Sequence, residues 1–381
     1  MKNNLKVGIL TQPLQDNYGG LLQAYALKEI LKNLEHEVTI INRRTPKRSQ
    51  WRILASDIKQ RIKRTNLKSL SDDQVNIISK NTNIFREKYI PELSGLITSD
   101  KGMRKLNKDK FDAFIVGSDQ CWRPLYSPKI TNYFLDFAKN SNRVKKISYA
   151  ASFGTPNWEF SKKQTRKCKK LLKKFDTVSV REKSGIELVR KNLGRDDALH
   201  VLDPTMLLTA NHYRGIVQNE CSNENMGSLK VYVLDKSEKK TDFINRLTEY
   251  SGLKKFEVMP QKRFKDGGIT KQNIQEFQYP SPALWLKGFD SADFVITDSF
   301  HGTLFSILFN VPFITIGNNK RGIARFISIL EMFSLSDRLI TDVDCVDLKK
   351  IFSSEIDWKP INMKIEAERA KSLKFLTDSL E

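Results

Sequence analysis

The stretch from Ala292 to Leu304 constrains the fold more than any other. Phe294-Val295-Ile296 is a short apolar run of the kind that makes a parallel strand buried on both faces. It stops at a polar turn, Thr297-Asp298-Ser299, after which Leu304, Phe305, Ile307 and Leu308 recur at helical spacing. The turn therefore sits where a strand's carboxyl end meets a helix amino end, the crevice in which open α/β sheets bind ligands. His301 and Gly302 open that helix, whose unpaired N–H groups and positive dipole end attract anions. The next strand, Pro312 to Ile316, ends nearby and delivers Lys320, Arg321 and, a turn later, Arg325. A histidine, an aspartate and three cations at sheet-end positions make a site for an anionic ligand.

The same alternation runs through the rest of the chain. Leu5–Leu10 reads as strand, Gly19–Leu34 as helix and Val38–Asn42 as strand, a βαβ opening. A basic, mostly helical insertion is expected from about 45 to 110. Strands follow at Phe111–Val116, Lys146–Ala151, Thr177–Val180 and Leu199–Leu202. Polar sequence from Thr209 to Ser228 reads as an interdomain connection, and strands and helices then alternate again from Lys230. With 381 residues the chain exceeds what one core usually covers. The expected architecture is α/β, with two doubly wound Rossmann-like domains facing a cleft, spanning 1–208 and 229–360. The linker is 209–228, and a helix at 361–381 is expected to pack back on the first domain.

Composition narrows the function. The formal net charge is +21, which implies an acidic partner: nucleic acid, anionic lipid or a phosphorylated substrate. Ten Lys or Arg residues and one acid, Asp57, lie between Arg43 and Lys68. There Trp51, Leu54, Ile58 and Ile62 recur at helical spacing, so a basic amphipathic helix is expected, either on a membrane surface or packed on the core. A second cluster, eight Lys or Arg between Lys162 and Lys174, reads as a solvated helix face. No zinc-finger, RRM-type or helix-turn-helix pattern points to specific nucleic-acid binding. Four scattered cysteines without a CxxC pair suit a reducing cytoplasm and argue against structural zinc. Neither a secretory signal nor a long uncharged apolar run is visible, so the expected setting is cytoplasmic, with peripheral contact at the inner membrane face. Asp342-Val343-Asp344 has the form of a DxD metal motif but stands far from the sheet-end turns, and reads as a loop. Phosphate-loop, nucleophile-elbow and complete GxGxxG patterns are missing.

Several segments, in order, resemble the polysaccharide pyruvyl transferase family. They are Asn17-Tyr18-Gly19-Gly20-Leu21-Leu22-Gln23-Ala24-Tyr25-Ala26-Leu27, and Phe111-Asp112-Ala113-Phe114-Ile115-Val116-Gly117-Ser118-Asp119-Gln120-Cys121-Trp122. Val178 to Ser184, Asp203-Pro204-Thr205 and Thr297 to Gly302 continue the set. The likeness spans about the whole chain. It implies a fold similar to the two-domain GT-B glycosyltransferases. The implied reaction moves a pyruvyl group from phosphoenolpyruvate to two hydroxyls of a sugar, forming a ketal, with no further cofactor. In much of the family the turn reads Asp-Arg-x-His-Gly, the arginine being taken to hold the donor; here that position is Ser299. Either another cation replaces it or the donor differs.

Phosphoenolpyruvate carries a carboxylate and a phosphate on adjacent atoms, so its binding needs a cationic cradle, preferably of arginine. Arg181, Lys320, Arg321 and Arg325 are the candidates, with Ser299 and Gly302 beside them in the turn. His301 is the candidate for acid–base chemistry or phosphate contact, since histidine is the side chain whose unperturbed pKa lies near neutrality. Asp298 would orient it or cap the helix. On the acceptor side stand Asp16, Asn17 and Tyr18, with Gly19 and Gly20 permitting close backbone approach. Asp119, Gln120 and Trp122 occupy a similar turn, with Asp119 as a base and Trp122 stacking on a sugar ring or serving as a wall residue. The expected partners are phosphoenolpyruvate and a sugar acceptor, plausibly lipid-linked, in surface-polysaccharide assembly. Two alternatives remain: a GT-B glycosyltransferase using a nucleotide sugar, and a non-catalytic basic protein binding nucleic acid or acidic glycan.

Overall fold

The computed structural model describes residues 4–45, 70–106, 110–138, 143–221, 226–263, 268–317 and 322–381. The first sheet contains β1 (Lys6–Leu10), β2 (Glu37–Ile40), β3 (Ala113–Gly117), β4 (Lys145–Ala151), β5 (Thr177–Val180) and β6 (Leu199–His200). The second contains β7 (Leu229–Tyr232), β8 (Lys255–Glu257), β9 (Phe294–Thr297), β10 (Phe313–Ile316) and β11 (Leu339–Ile340). The helices are α1 (Tyr18–Asn33), α2 (Asp72–Ile78), α3 (Lys80–Tyr89), α4 (Asp100–Lys105), α5 (Lys162–Leu172), α6 (Lys183–Leu188) and α7 (Ala210–Glu220). They continue with α8 (Glu238–Ser251), α9 (Pro282–Asp290), α10 (Phe300–Leu308), α11 (Ala324–Met332), α12 (Leu348–Ser353) and α13 (Trp358–Leu380).

All strand pairs are parallel. The strand orders are β2-β1-β3-β4-β5-β6 and β11-β10-β9-β7-β8. In each sheet the chain moves outward from its first strand on one side and then returns to the other. The switch points therefore fall between β1 and β3 and between β7 and β9, where doubly wound sheets leave a crevice outside their carboxyl ends.

Alternation along the strands fills three cores. Val7, Ile9, Ala113 and Ile115 face one side of the first sheet, whereas Leu10, Phe114 and Val116 face the other. In the second sheet Val295 and Phe313 face the first domain's core, and Leu229, Val231, Ile296 and Ile314 face a core of their own. The largest core thus runs continuously from one domain into the other. α13 packs on the first sheet: Ser379 bonds Thr177, Ser372 accepts from Leu202 N, and Arg369 Nε donates to the Met206 carbonyl at 2.8 Å.

Several expectations need adjustment. The polar stretch read as a connection contains a packed helix, α7, because Tyr213, Ile216 and Val217 lie on one buried stripe. The membrane-binding reading for 43–68 falls almost entirely outside the described residues. Its first member, Arg43, is buried and bonded to Asn132 (3.1 Å), not solvated. The second basic cluster is α5 and the two lysines after it, with the eight cations exposed and Cys168 and Leu172 buried. Asp344 pairs with Lys239. No helix among the described residues is long and apolar enough to cross a membrane.

Candidate functional site

A cleft of about 680 Å³ opens between the two switch points. From the first domain it is lined by the β1–α1 turn (Gln12, Asp16, Asn17, Tyr18) and by Asp119 and Gln120 after β3. From the second come Asp298, Ser299, Phe300 and His301 after β9, with Arg325 of α11 and Tyr279. β9 ends as predicted, and Ser299 is the N-cap of α10, its hydroxyl accepting from Gly302 N.

Asp203 ties together the residues packed behind His301; neither it nor Arg181 is among the residues that line the cleft. Asp203 follows β6 and is fully buried. One carboxylate oxygen caps the short turn at Pro204–Met206, accepting from Thr205 N (3.0 Å) and Thr205 Oγ1 (2.7 Å). The other accepts from Arg181 Nη1 (2.6 Å) and Ser118 Oγ (3.0 Å), and lies 3.6 Å from His301 Nε2. Burial by itself would raise this carboxyl. The adjacent His301 and Arg181 outweigh it and hold Asp203 well below the ordinary carboxylate range. Burial likewise works against charge on Arg181, and the surrounding Asp203, Asp119 and Glu182 overcome it. For Arg325 the balance falls the other way: burial, reinforced by the nearby Arg181 charge, pushes it down to about 10, although Asp119 and Glu182 oppose the shift.

Both guanidinium groups stand over the Phe300 ring, Arg181 at 4.5 Å and Arg325 at 5.2 Å from its centroid. Arg181 comes from the first domain and Arg325 from the second, so the ring is the place where the two cations meet. Arg181 Nε and Nη2 and His301 Nε2 are buried and make no hydrogen bond, although Asp119 Oδ1 lies 3.5 Å from Nη2. Buried polar atoms without a hydrogen bond are uncommon in native proteins, and of these only His301 belongs to a residue lining the cleft.

His301 is seated by the opposing domain. A Cβ on Gly19 would lie 2.0 Å from His301 Nδ1, so only glycine fits without displacing the ring. Gly19 thus admits close approach by an imidazole of this chain. Gly20 packs on Asn17, and Gly302 on Thr297, where a Cβ would come within 2.2 Å of Oγ1.

Other candidates are placed differently from expectation. Asp298 neither contacts His301 nor caps α10. Its oxygens accept from Leu234 N (2.6 Å), Asp235 N (3.0 Å) and Lys240 Nζ (2.7 Å), which joins the ends of β9 and β7 at the switch point. Trp122 is buried, stacks on Phe134 at 5.0 Å and donates its indole N–H to the Tyr133 carbonyl, so its ring has no face toward the cleft. Asp16 reaches the cleft, yet accepts from Ser79 (2.8 Å) and Thr82 (2.6 Å) at the α2–α3 junction. The Tyr18 hydroxyl donates to the Pro280 carbonyl across the cleft, at 3.0 Å. Asn17 lines the cleft and makes no side-chain cap bond. Asp119 has a left-handed backbone (φ +59°) and accepts from Gln120 N. Lys320 and Arg321 lie outside the described residues. Sequence reasoning noticed Asp203-Pro204-Thr205 without giving Asp203 a role; its position just past β6, the strand paired with the one that delivers Arg181, is the signal that could have found it.

Among solved structures the chain is similar to UGT89C1 of Arabidopsis thaliana complexed with UDP-L-rhamnose, with a TM-score of 0.53 at 10% identity over 99% of both chains. It is also similar to the UDP-GlcNAc 2-epimerase of Neisseria meningitidis bound to UDP-GlcNAc, with a TM-score of 0.50 at 11% identity, again over 99% of both. The UDP-GlcNAc 2-epimerase of Methanocaldococcus jannaschii gives 0.50 at 12% identity, over 98% of this chain and 99% of that one. At such identities the likeness establishes the fold, two Rossmann-like domains of the GT-B type. No curated protein matches the chain. The model of the family described as polysaccharide pyruvyl transferase matches residues 17–320, most of the chain, including Arg181, Asp203 and His301. This chain is therefore a member of the polysaccharide pyruvyl transferase family.

Proposed function

We propose that the chain transfers a pyruvyl group from phosphoenolpyruvate to two hydroxyls of a sugar in a surface-polysaccharide repeat unit, releasing phosphate. The observation that carries this reading is that His301 and Arg325 line one cleft, with Arg181 over the same Phe300 ring behind them. Two guanidinium forks and a histidine suit a small ligand with a carboxylate next to a phosphate. Arg325 then supplies the cation that Ser299 lacks. In the proposed reaction the methylene carbon gains a proton and one sugar oxygen bonds to the central carbon. The carbon–oxygen bond to phosphate breaks, and the second sugar oxygen closes the ketal. Two hydroxyl protons are released: one balances the proton gained by carbon and the other leaves with phosphate. His301 passes the proton in this reading, with the Asp203 carboxylate 3.6 Å from its Nε2. Asn17 and Gln120 offer uncharged polar groups to the acceptor.

Calorimetric titration of phosphoenolpyruvate tests the proposal. Wild type should bind, and Arg325→Gln and His301→Gln should each weaken binding at least tenfold, about 1.4 kcal/mol. A wild-type protein that ignores phosphoenolpyruvate and binds a nucleotide sugar would replace pyruvyl transfer with glycosyl transfer.

A further inference from the structure

Trp122, the aromatic residue expected to meet a sugar, is buried, but four residues further along the chain Tyr126 is 44% exposed and lines the cleft. The Arg123 guanidinium stands over the tyrosine ring, 4.7 Å from its centroid, and Arg123 Nη1 donates to the tyrosine hydroxyl at 3.3 Å. No aromatic ring packs on Tyr126 among the described residues. Arg123 is itself fixed. Its Nε and Nη2 donate to the two oxygens of Glu159, each at 2.9 Å, and Nη1 also donates to Gln120 Oε1 at 3.1 Å. A two-pronged pair of this kind sets the plane of the guanidinium, and with it the ring that lies against it.

The turn that carries the ring is pinned as well. Tyr126 N and Ser127 N both donate to the Arg123 carbonyl, at 3.1 and 3.2 Å. The Ser127 hydroxyl donates to the Cys121 carbonyl at 2.7 Å and accepts from Gln12 Nε2 at 3.0 Å. Gln12 Nε2 donates in addition to the Gln120 carbonyl at 2.9 Å. A large side chain held this firmly, yet left exposed, gives up little freedom when a ligand covers it.

The same bonds decide which polar atoms remain for that ligand. Gln12 has both amide hydrogens engaged, which leaves its side-chain oxygen as an acceptor. Gln120 has its side-chain oxygen engaged by Arg123, which leaves its amide hydrogens as donors. Both residues line the cleft. A pyranose carries hydroxyls around its edge, each able to donate and accept, and apolar C–H bonds on its faces. An exposed aromatic ring with one acceptor and one donor amide in the same wall matches that division. Arg325 lines the cleft too. Burial lowers its pKa, and Tyr126 is near enough to be among the groups that oppose this.

We propose that Tyr126 is the platform on which the acceptor's pyranose ring lies, with Gln12 and Gln120 bonding its hydroxyls and Arg123 holding the tyrosine in place. That the sugar is an acceptor rests on the pyruvyl-transfer reading; the sugar platform itself does not.

Saturation-transfer difference NMR on the full-length protein tests it, with methyl β-D-glucopyranoside, methyl β-D-galactopyranoside and methyl α-D-mannopyranoside as probes. At least one of them should receive saturation, strongest on the C–H bonds of a single ring face. Tyr126→Leu keeps an apolar side chain without the flat ring, so most of that transfer should be lost while the melting temperature holds. Tyr126→Phe keeps the ring and should restore most of it. Transfer undiminished in Tyr126→Leu, equal loss in the Leu and Phe variants, or no transfer from wild type to any of the probes would overturn the platform. Phosphoenolpyruvate titrated calorimetrically into wild type reads the donor separately. If it does not bind while the glycoside signal depends on Tyr126, pyruvyl transfer falls and the platform stands. If it binds and the glycoside signal is indifferent to Tyr126, the platform falls and the donor reading stands.

Discussion

Asp203 is a small residue with three obligations: it caps a turn, pairs with Arg181 and faces His301. Asp203→Asn keeps the shape and removes the charge, leaving Arg181 buried with only the more distant Asp119 and Glu182 for compensation. Breaking a buried pair this way should cost about 3 kcal/mol or more. The pH dependence has a definite sign. Since the folded protein holds this carboxyl below its ordinary value, its contribution to stability is complete above about pH 4 and is lost as pH falls further. Thermal melts from about pH 6 to pH 3 should show the variant lower at the start but with the shallower decline; parallel curves would deny Asp203 this role. How far such residues can be read from sequence depends on what fixes them. His301 and Arg181 were legible because strand ends are legible. Trp122 was not, since its stacking partner Phe134 arrives only through tertiary packing. Lys230 misleads in the same way: a lysine in a strand suggests solvent, yet it is fully buried beside Phe289 and donates to the Trp285 carbonyl.

At the level of elements, apolar runs located β1, β3, β4, β5, β9 and β10 to within about two residues, because strands buried on both faces carry no competing polar pattern. α11 escaped notice although it delivers Arg325. Its approach depends on the turn before it, where a Cβ on Gly322 would lie 1.5 Å from the Gly154 carbonyl of the first domain. Gly322 also has φ +95°, which side-chain-bearing residues rarely adopt. The two backbones touch here, and the contact sets how close Arg325 comes to Arg181. Gly322→Ala should therefore weaken phosphoenolpyruvate binding about tenfold by pushing α11 outward. Titration beside a melting curve checks this, and wild-type affinity in a folded variant would free Arg325 from that turn. α2 and α3 work on the opposite edge of the cleft. Ile78 packs with Ile274 and Phe277, and the Tyr279 N–H donates to the Ile78 carbonyl at 3.0 Å, so the insertion clasps the second domain.

Over the whole molecule, the largest core joins Val7 and Ile9 of the first sheet to Val295 and Phe313 of the second, with Ile361 and Leu376 of α13. Domains that share apolar packing to this extent should unfold together, and calorimetry is expected to give one transition; two resolved peaks would show that the halves are independent. The net charge of +21 is legible as a demand for acidic ligands, but sequence could not distribute it between exposed lysines on α5 and buried arginines at the cleft. That division is made by packing. The contact of Gly19 with His301 carries the point further. One half of the molecule owns the imidazole and the other half supplies the seat that stops it turning. Parting the halves by the width of a water molecule would leave the ring free to swing. In the proposed reaction, then, alignment of the proton source is a property of the joint between the halves and not of either half alone.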